Sequence, residues 1–293
     1  MKRYKFSDLL EYEGKVRELY LKFDLNLSSS NRISKYFSYL GEIEKTRKLD
    51  KDIFSKLIQK DRAKYYYSQY YVLEICNIVN SIEGSQQDER ILKGKLIDLS
   101  KGTYLLSEET SNNTKARDTT FELSLFSFFF TKGLNVKLTD PNPDLQLQTN
   151  NFTYNIECKR PNSVNSLEKH IRSAVKQLKK TNNTNCVPTI ALSLEQVLLG
   201  GDLILDSNTQ VSALTFLDAT LYEFLNNNLP MIQKICKDEP CLVLYYLSCL
   251  SGLKDDFIMA NATYITGNLY NFEEDLSNRI YNDLQIMIPK QTI

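Results

Sequence analysis

Residues Pro143 to Arg160 read PDLQLQTNNFTYNIECKR, and the fold turns on how this stretch pairs with itself. Leu145 and Leu147 alternate with polar residues, as do Phe152, Tyr154, Ile156 and Cys158 further on, the period-two pattern of two short strands. Between them, Asn150-Asn151 suits a two-residue hairpin turn, because asparagine tolerates the positive backbone dihedrals such a turn requires. That turn sets the register: Thr149 faces Phe152, and Asp144 faces Glu157. Directly opposed residues have Cβ atoms roughly 4.5 to 5.5 Å apart, so the two carboxylates are within reach of one cation. Since side chains alternate, Lys159 shares a face with Glu157, while Ile156 and Cys158 point to the other.

Two carboxylates at that spacing repel unless a cation lies between them or one is protonated. Mg2+, a hard oxygen-seeking ion, resolves the conflict and keeps coordination sites for water and phosphate. Pro143-Asp144 followed by Glu157-x-Lys159 resembles the signature of the PD-(D/E)xK, or restriction-endonuclease-like, nuclease superfamily. The resemblance covers roughly residues 115 to 193. It includes a preceding helix with Glu122 and a following helix with Gln177. It implies an α/β fold with an αβββαβ core and mixed sheet, and metal-dependent hydrolysis of phosphodiester bonds. On the resemblance, Asp144 and Glu157 bind Mg2+, for which Mn2+ substitutes; Glu122 joins directly or through water, and the Cys158 backbone carbonyl is a further ligand. Lys159 positions or deprotonates the attacking water and balances phosphate charge, and Gln177 reaches back toward the site. Glu122 also reads as a solvated acid at a helix edge.

Charge distribution points to the same partner. The chain of 293 residues has no net charge, with 36 basic and 36 acidic residues. By region, residues 114 to 180 carry 11 basic and 6 acidic residues, whereas residues 181 to 293 carry 5 and 13. Basic charge beside a phosphate-cutting motif is the footprint of a nucleic-acid binder; an ordinary mixed surface is the alternative. DNA is the favoured substrate, with RNA left open. A role in host defence or restriction is added by family analogy alone. A catalytically silent binding or scaffold module is the competing class.

From Phe6 to about Leu99 the pattern is helical, almost without Gly or Pro. We therefore expect residues 1 to 113 to form an all-helical region that binds a protein partner or regulates activity. Lys51 to Val79 is its strongest segment. The cluster Tyr65, Tyr66, Tyr67, Tyr70 and Tyr71 there could stack on bases, but tyrosines on several sides of a helix favour helix packing. Ser81 to Arg90 reads as a loop, and Ser107 to Arg117, SEETSNNTKAR, as the linker to a nuclease-like domain over 114 to 293. In that domain Phe121, Leu125, Phe128 and Phe129 mark a core-facing helix ended by Gly133. Asn135 to Leu138 begins the sheet, and Asp140 to Pro143 turns into the hairpin. The next helix buries Leu167, Ile171, Ala174 and Leu178 and is otherwise basic. His170, the only histidine, is read as an exposed helical residue and kept out of the catalytic set.

Further on we expect a strand at Val187 to Leu194, a break at Gly200-Gly201 and a helix at Thr209 to Asn227. Strands at Leu242 to Leu250 and Phe257 to Ile265 and a helix at Asn271 to Leu284 complete the C-terminal extension. The N-terminus has no apolar signal region and no stretch is apolar enough to span a membrane, so a cytoplasmic protein is expected. Six cysteines without a C-x-x-C pair read as reduced, mostly buried thiols rather than a zinc site. No P-loop or G-x-G-x-x-G is present.

Overall fold

The computed structural model describes residues 6–110, 112–181, 186–199, 204–205, 210–252 and 259–288. The protein is α/β, and it divides into two compact units. The first takes in Met1–Thr120, Gly201–Ala213 and Cys249–Ala262; the second takes in Phe121–Gly200, Leu214–Ser248 and Thr263–Ile293. The N-terminal segment of the first unit thus ends at Thr120, and that unit draws on two later segments.

The described part of residues 1 to 113 is helical: α1 (Phe6–Lys22), α2 (Arg32–Leu49), α3 (Lys51–Lys60), α4 (Arg62–Glu83), α5 (Glu89–Ser100) and a single 3-10 turn, Leu106–Glu108. Lys51 to Val79 is broken at Asp61, whose backbone leaves the helical region at φ −121, ψ 41. No Gly or Pro announces that break. The expected loop at Ser81 to Arg90 is shorter than its composition suggests. α4 runs on to Glu83, and Asp88 caps α5 by accepting the N–H groups of Arg90 and Ile91.

Ser107 to Arg117 is not a free linker. Arg117 is buried and ion-paired through Nε at 3.4 Å to Glu109, whose side chain is equally covered, and its Nη2 donates to the carbonyls of Thr103 and Tyr104. Polar composition concealed this, because a buried guanidinium bonded to backbone carbonyls looks like a solvated one in sequence. The tyrosine cluster packs: Tyr65, Tyr70 and Tyr71 are buried, and Tyr71 stacks on Tyr36 with centroids 5.3 Å apart.

In the second unit the chain runs through α6 (Lys115–Thr131, shared with the first), β1 (Asn135–Leu138), β2 (Leu145–Gln148), β3 (Thr153–Lys159), α7 (Val164–Leu178) and β4 (Cys186–Ser193). Then come α8 (Glu195–Leu199), β5 (Ile204–Leu205), α9 (Gln210–Ile235), β6 (Cys241–Gly252), β7 (Met259–Tyr270) and α10 (Glu274–Met287). β1, β2 and β3 form an antiparallel meander, β4 pairs parallel to β3, β6 pairs parallel to β4, and β7 also pairs with β6. The sheet is thus mixed. In the first unit the short strand β5 pairs parallel with the last residues of β6.

Burial follows the sequence pattern where that pattern is strongest. α7 buries Leu167, Ile171, Ala174 and Leu178, a stripe at helical spacing. α6 buries Phe121, Leu125 and Phe129, with Leu123 and Phe126 besides, while Phe128 is half-buried under Lys132. α9 continues past the expected end at Asn227 and carries Pro230 inside it. β7 reaches Tyr270, beyond the expected Ile265, and stops where Asn271 takes φ 60. The expected break at Gly200-Gly201 and the first two residues of the strand expected from Phe257 lie outside the described residues. Among the described residues no helix is long and apolar enough to cross a membrane.

Candidate active site

The hairpin register is the one its turn dictates. Leu145 pairs with Ile156, Gln146 with Asn155, Leu147 with Tyr154 and Gln148 with Thr153, and Thr149 N–H donates to Phe152 O at 2.9 Å. One step beyond the ladder, Asp144 lies at Glu157. Its Oδ2 accepts the backbone N–H of Cys158 at 2.7 Å. In a continued ladder that N–H would meet the Pro143 carbonyl, which instead accepts the Thr139 hydroxyl. The Asp144 carboxylate therefore takes over a main-chain position and ends the strand pairing.

Three contacts hold the turn that delivers Asp144. Thr139 N–H donates to Asp144 O at 3.1 Å, Thr139 Oγ1 donates to Pro143 O, and Gln177 Nε2 on α7 donates to Asn142 Oδ1 at 2.9 Å. Gln177 thus reaches the loop before Asp144, and its amide NH2 meets Asn142 rather than a carboxylate.

Glu157 is 2 % exposed, and its Oε1 accepts from Lys159 Nζ at 2.7 Å. The alternation that put these two side chains on one face also lets them pair directly across one intervening residue. Glu157 Oε2 is buried and accepts no hydrogen bond. Glu122, on α6, is half-buried. Its bearing on the site shows at the Cys158 thiol, which is raised well above the ordinary cysteine value. Burial is the main cause, followed by the negative charges of Asp144, Glu122 and Glu157, with Lys159 acting the other way. Three carboxylates and one ammonium therefore act on one point of β3.

The donor set is oxygen-rich and anionic, which suits a hard divalent cation. The carboxylates do not form a closed shell: among the described residues no group of three or more His, Cys, Asp or Glu side chains is drawn together as a metal site. Asp144 is turned to a backbone N–H and Glu157 to Lys159, as like-charged groups do when protein donors are at hand. His170 is half-buried rather than exposed.

Sequence reading missed the residues at the end of the neighbouring strand. Lys159 pairs in register with Leu192 of β4. At the end of β4, Ser193 Oγ donates to Glu195 Oε2 at 3.1 Å, and Arg160 Nη2 reaches Gln196 Oε1 at 3.5 Å. The C-terminal ends of adjacent parallel strands are where open α/β sheets bind ligands, and that rule would have pointed to Glu195 and Gln196. The α7 face is partly engaged as well: Arg172 pairs with Glu168 and Lys179 with Glu239, while Lys169, Lys176 and Lys180 are exposed.

The chain has no significant match to any protein-family model, curated protein or solved structure with which it was compared.

Proposed function

We propose that the chain is a metal-dependent nuclease of the PD-(D/E)xK kind, hydrolysing phosphodiester bonds with DNA as the favoured substrate. The observation that carries this reading is the β2–β3 register, in which Asp144 sits beside Glu157 with Lys159 on the same face. The element order α6-β1-β2-β3-α7-β4 agrees with the αβββαβ core of that superfamily. Asp144, Glu157 and Glu122, with the Cys158 carbonyl, would hold Mg2+ or Mn2+. When bound, such an ion supplies Lewis-acid stabilisation of the phosphate and a more acidic water.

The chain's own residues do the rest. Lys159, held by Glu157, is the cation set to donate to a phosphate oxygen and offset the charge that develops there. Asp144 is fixed by the Cys158 N–H and by Thr139, so its carboxylate is oriented before substrate arrives. The exposed lysines of α7 supply contacts to the phosphate backbone that carry no sequence information. Residues 1 to 113 serve a partner or regulatory role in this reading, and the host-defence setting remains an analogy.

A catalytically silent binding module is the second reading, favoured by the closed Lys159–Glu157 ion pair at 2.7 Å. One assay separates the two: purified chain with plasmid, linear DNA and structured RNA, in Mg2+ or in EDTA. Cleavage that requires Mg2+ and disappears in Asp144→Ala and Glu157→Ala is expected. Binding without cleavage by the wild type would establish the silent module.

A further inference from the structure

Within the first unit, the N-terminal helices border a cavity of about 500 Å3 to which no residue of the candidate active site contributes. Cavities of roughly 300 to 1,000 Å3 are the size that holds small molecules. α2 lines it with Lys35, Tyr39 and Glu42, which recur at i, i+4 and i+7 and so share one helix face. Lys64 in the first turn of α4, and Tyr104 and Glu108 beyond α5, line it as well.

Two groups in this lining lack the partners their chemistry asks for. The Lys64 ammonium lies 4.2 Å from the centre of the Tyr39 ring and 5.5 Å from that of the Tyr104 ring. It is half-buried, and among the described residues it makes no ion pair, although two glutamates line the same cavity. Aromatic faces hold an ammonium in place but give its three N–H donors no oxygen acceptor. Tyr39 is 8 % exposed, and its hydroxyl has no hydrogen-bond partner. Burial first, then the charges of Asp61 and Glu42, raises that hydroxyl to about 12, so it keeps its proton at neutral pH. A buried orphan of this kind calls for an acceptor from outside the chain.

The remaining groups set polarity along the cavity. Lys35 is exposed and, among the described residues, makes no ion pair, so it adds a second available cation. Tyr104 is fixed: its hydroxyl bonds to Ser68 Oγ at 2.5 Å, and its carbonyl accepts from Tyr36 Oη at 2.7 Å. Glu108 Oε2 accepts the Leu105 N–H at 3.0 Å, whereas the exposed Glu42 carboxylate makes no ion pair among the described residues. Along α2, Glu42 lies two turns from Lys35, a rise of about 10 Å.

We propose that this cavity binds a small organic phosphate, held at its phosphate by the Lys64 and Lys35 ammonium groups and at its other end by hydroxyl or amino groups donating to Glu42. Charge-assisted bonds from ammonium to phosphate oxygen are among the strong ones, and two available cations attract a doubly charged phosphate more than a single carboxylate. A concave site of this size suits a small molecule, whereas the exposed lysines of α7 suit a strand.

Calorimetric titration of the full chain with ribose 5-phosphate, adenosine 5′-monophosphate, inorganic phosphate and acetate tests this. At least one of the two esters should bind with Kd below about 1 mM, and acetate should not. Lys64→Met should weaken that binding ~10-fold or more, and Lys35→Ala about 3- to 10-fold. Lys35 is exposed, so its variant keeps the test decisive should Lys64→Met fold poorly. Glu42→Gln should weaken the ester several-fold and leave inorganic phosphate unaffected. Lys159→Met, which alters the candidate active site, should leave ester binding unchanged. Bound ester should also shield Lys64 from acetic anhydride, read by peptide mapping. If neither ester binds, if acetate binds as tightly, or if Lys159→Met abolishes binding that Lys64→Met and Lys35→Ala leave intact, the proposal is overturned.

Discussion

The β2–β3 hairpin ends in buried carboxylates at both extremities, and the two ends handle them differently. At the turn, Asp283 of α10 is 0 % exposed and accepts from Thr149 Oγ1, from Asn151 Nδ2 at 2.6 Å and from Tyr154 Oη at 2.8 Å. All three donors are neutral and belong to the hairpin. At the open end, Glu157 is paired with an ammonium, and Asp144 and Glu122 add negative charge around Cys158. Neutral donors spread around one carboxylate make a latch. Like charges acting on one end of a strand, one of them paired with a lysine, make a place where a cation or a phosphate changes the energy most. One hairpin thus carries a structural carboxylate and a chemical one, and their responses to substitution should diverge.

The largest effect should come from breaking the latch. Asp283→Ala leaves the buried Tyr154 hydroxyl without its acceptor, at about 1–3 kcal/mol, and removes one hydrogen bond each from the half-buried Thr149 and the exposed Asn151, at about 0.5–1.5 kcal/mol, so a loss of ~3 kcal/mol is expected. Urea unfolding measures it. Cleavage per folded molecule should stay within a few-fold of wild type, because no reacting group has changed. A stable Asp283→Ala protein that no longer cuts would reverse the assignment of the two ends.

At the other end the order inverts. Lys159→Met keeps the length and apolar stem but removes the charge and the donors, so single-turnover cleavage should fall roughly 100-fold or more. Mg2+ or Mn2+ affinity by calorimetry should hold or rise, since a repelling cation has gone. Nucleic-acid binding should weaken only slightly, one phosphate contact among several being lost. Near-normal cleavage would make the Glu157-x-Lys159 spacing a coincidence.

Tyr154 sharpens the latch in the pH dimension. Its hydroxyl is raised above the ordinary 10.0 by burial first and then by its hydrogen bond to Asp283 and that residue's charge. A raised folded-state value means the folded protein holds this proton more tightly than the unfolded chain does. The stability it confers is complete below pH about 10 and is lost as pH rises from there toward the folded-state value. Tyr154→Phe should therefore cost about 1 kcal/mol at neutral pH for the lost hydrogen bond. It should also flatten the alkaline decline in the urea midpoint; an unchanged alkaline limb would remove Tyr154 from the latch.

These two ends were not equally legible in sequence. The open end could be read because every determinant is local: an Asn-Asn turn, period-two alternation, and carboxylates whose opposition follows from the register alone. Asp283 could not be paired with Thr149, Asn151 and Tyr154 from sequence, since they lie 129 to 134 positions away. A weaker signal was present, because Asp283 falls on the same helical face as Ile280, Leu284 and Met287, all buried. An acid inside an apolar stripe asks for buried donors. Ser107 to Arg117 was misread for the same reason in reverse. Within it Glu109 is held by the buried Arg117, and composition does not distinguish a paired polar group from a hydrated one.

The smallest effect should fall between the two ends, at Gln177. Its amide touches the loop before Asp144 through Asn142 and accepts from Ser173 Oγ at 3.3 Å on its other side. It is a positioning residue, one step removed from the carboxylate. A neutral hydrogen bond of this kind contributes about 0.5–1.5 kcal/mol, so Gln177→Ala should lower cleavage by roughly 2- to 10-fold. Because Asn142 acts only through the loop, Asn142→Ala should give the same loss, and the double variant should lose no more than either single one. If the two losses multiply instead, Gln177 acts on the chemistry by a route that bypasses Asn142, and the amide then belongs with Lys159 at the reacting end of the hairpin.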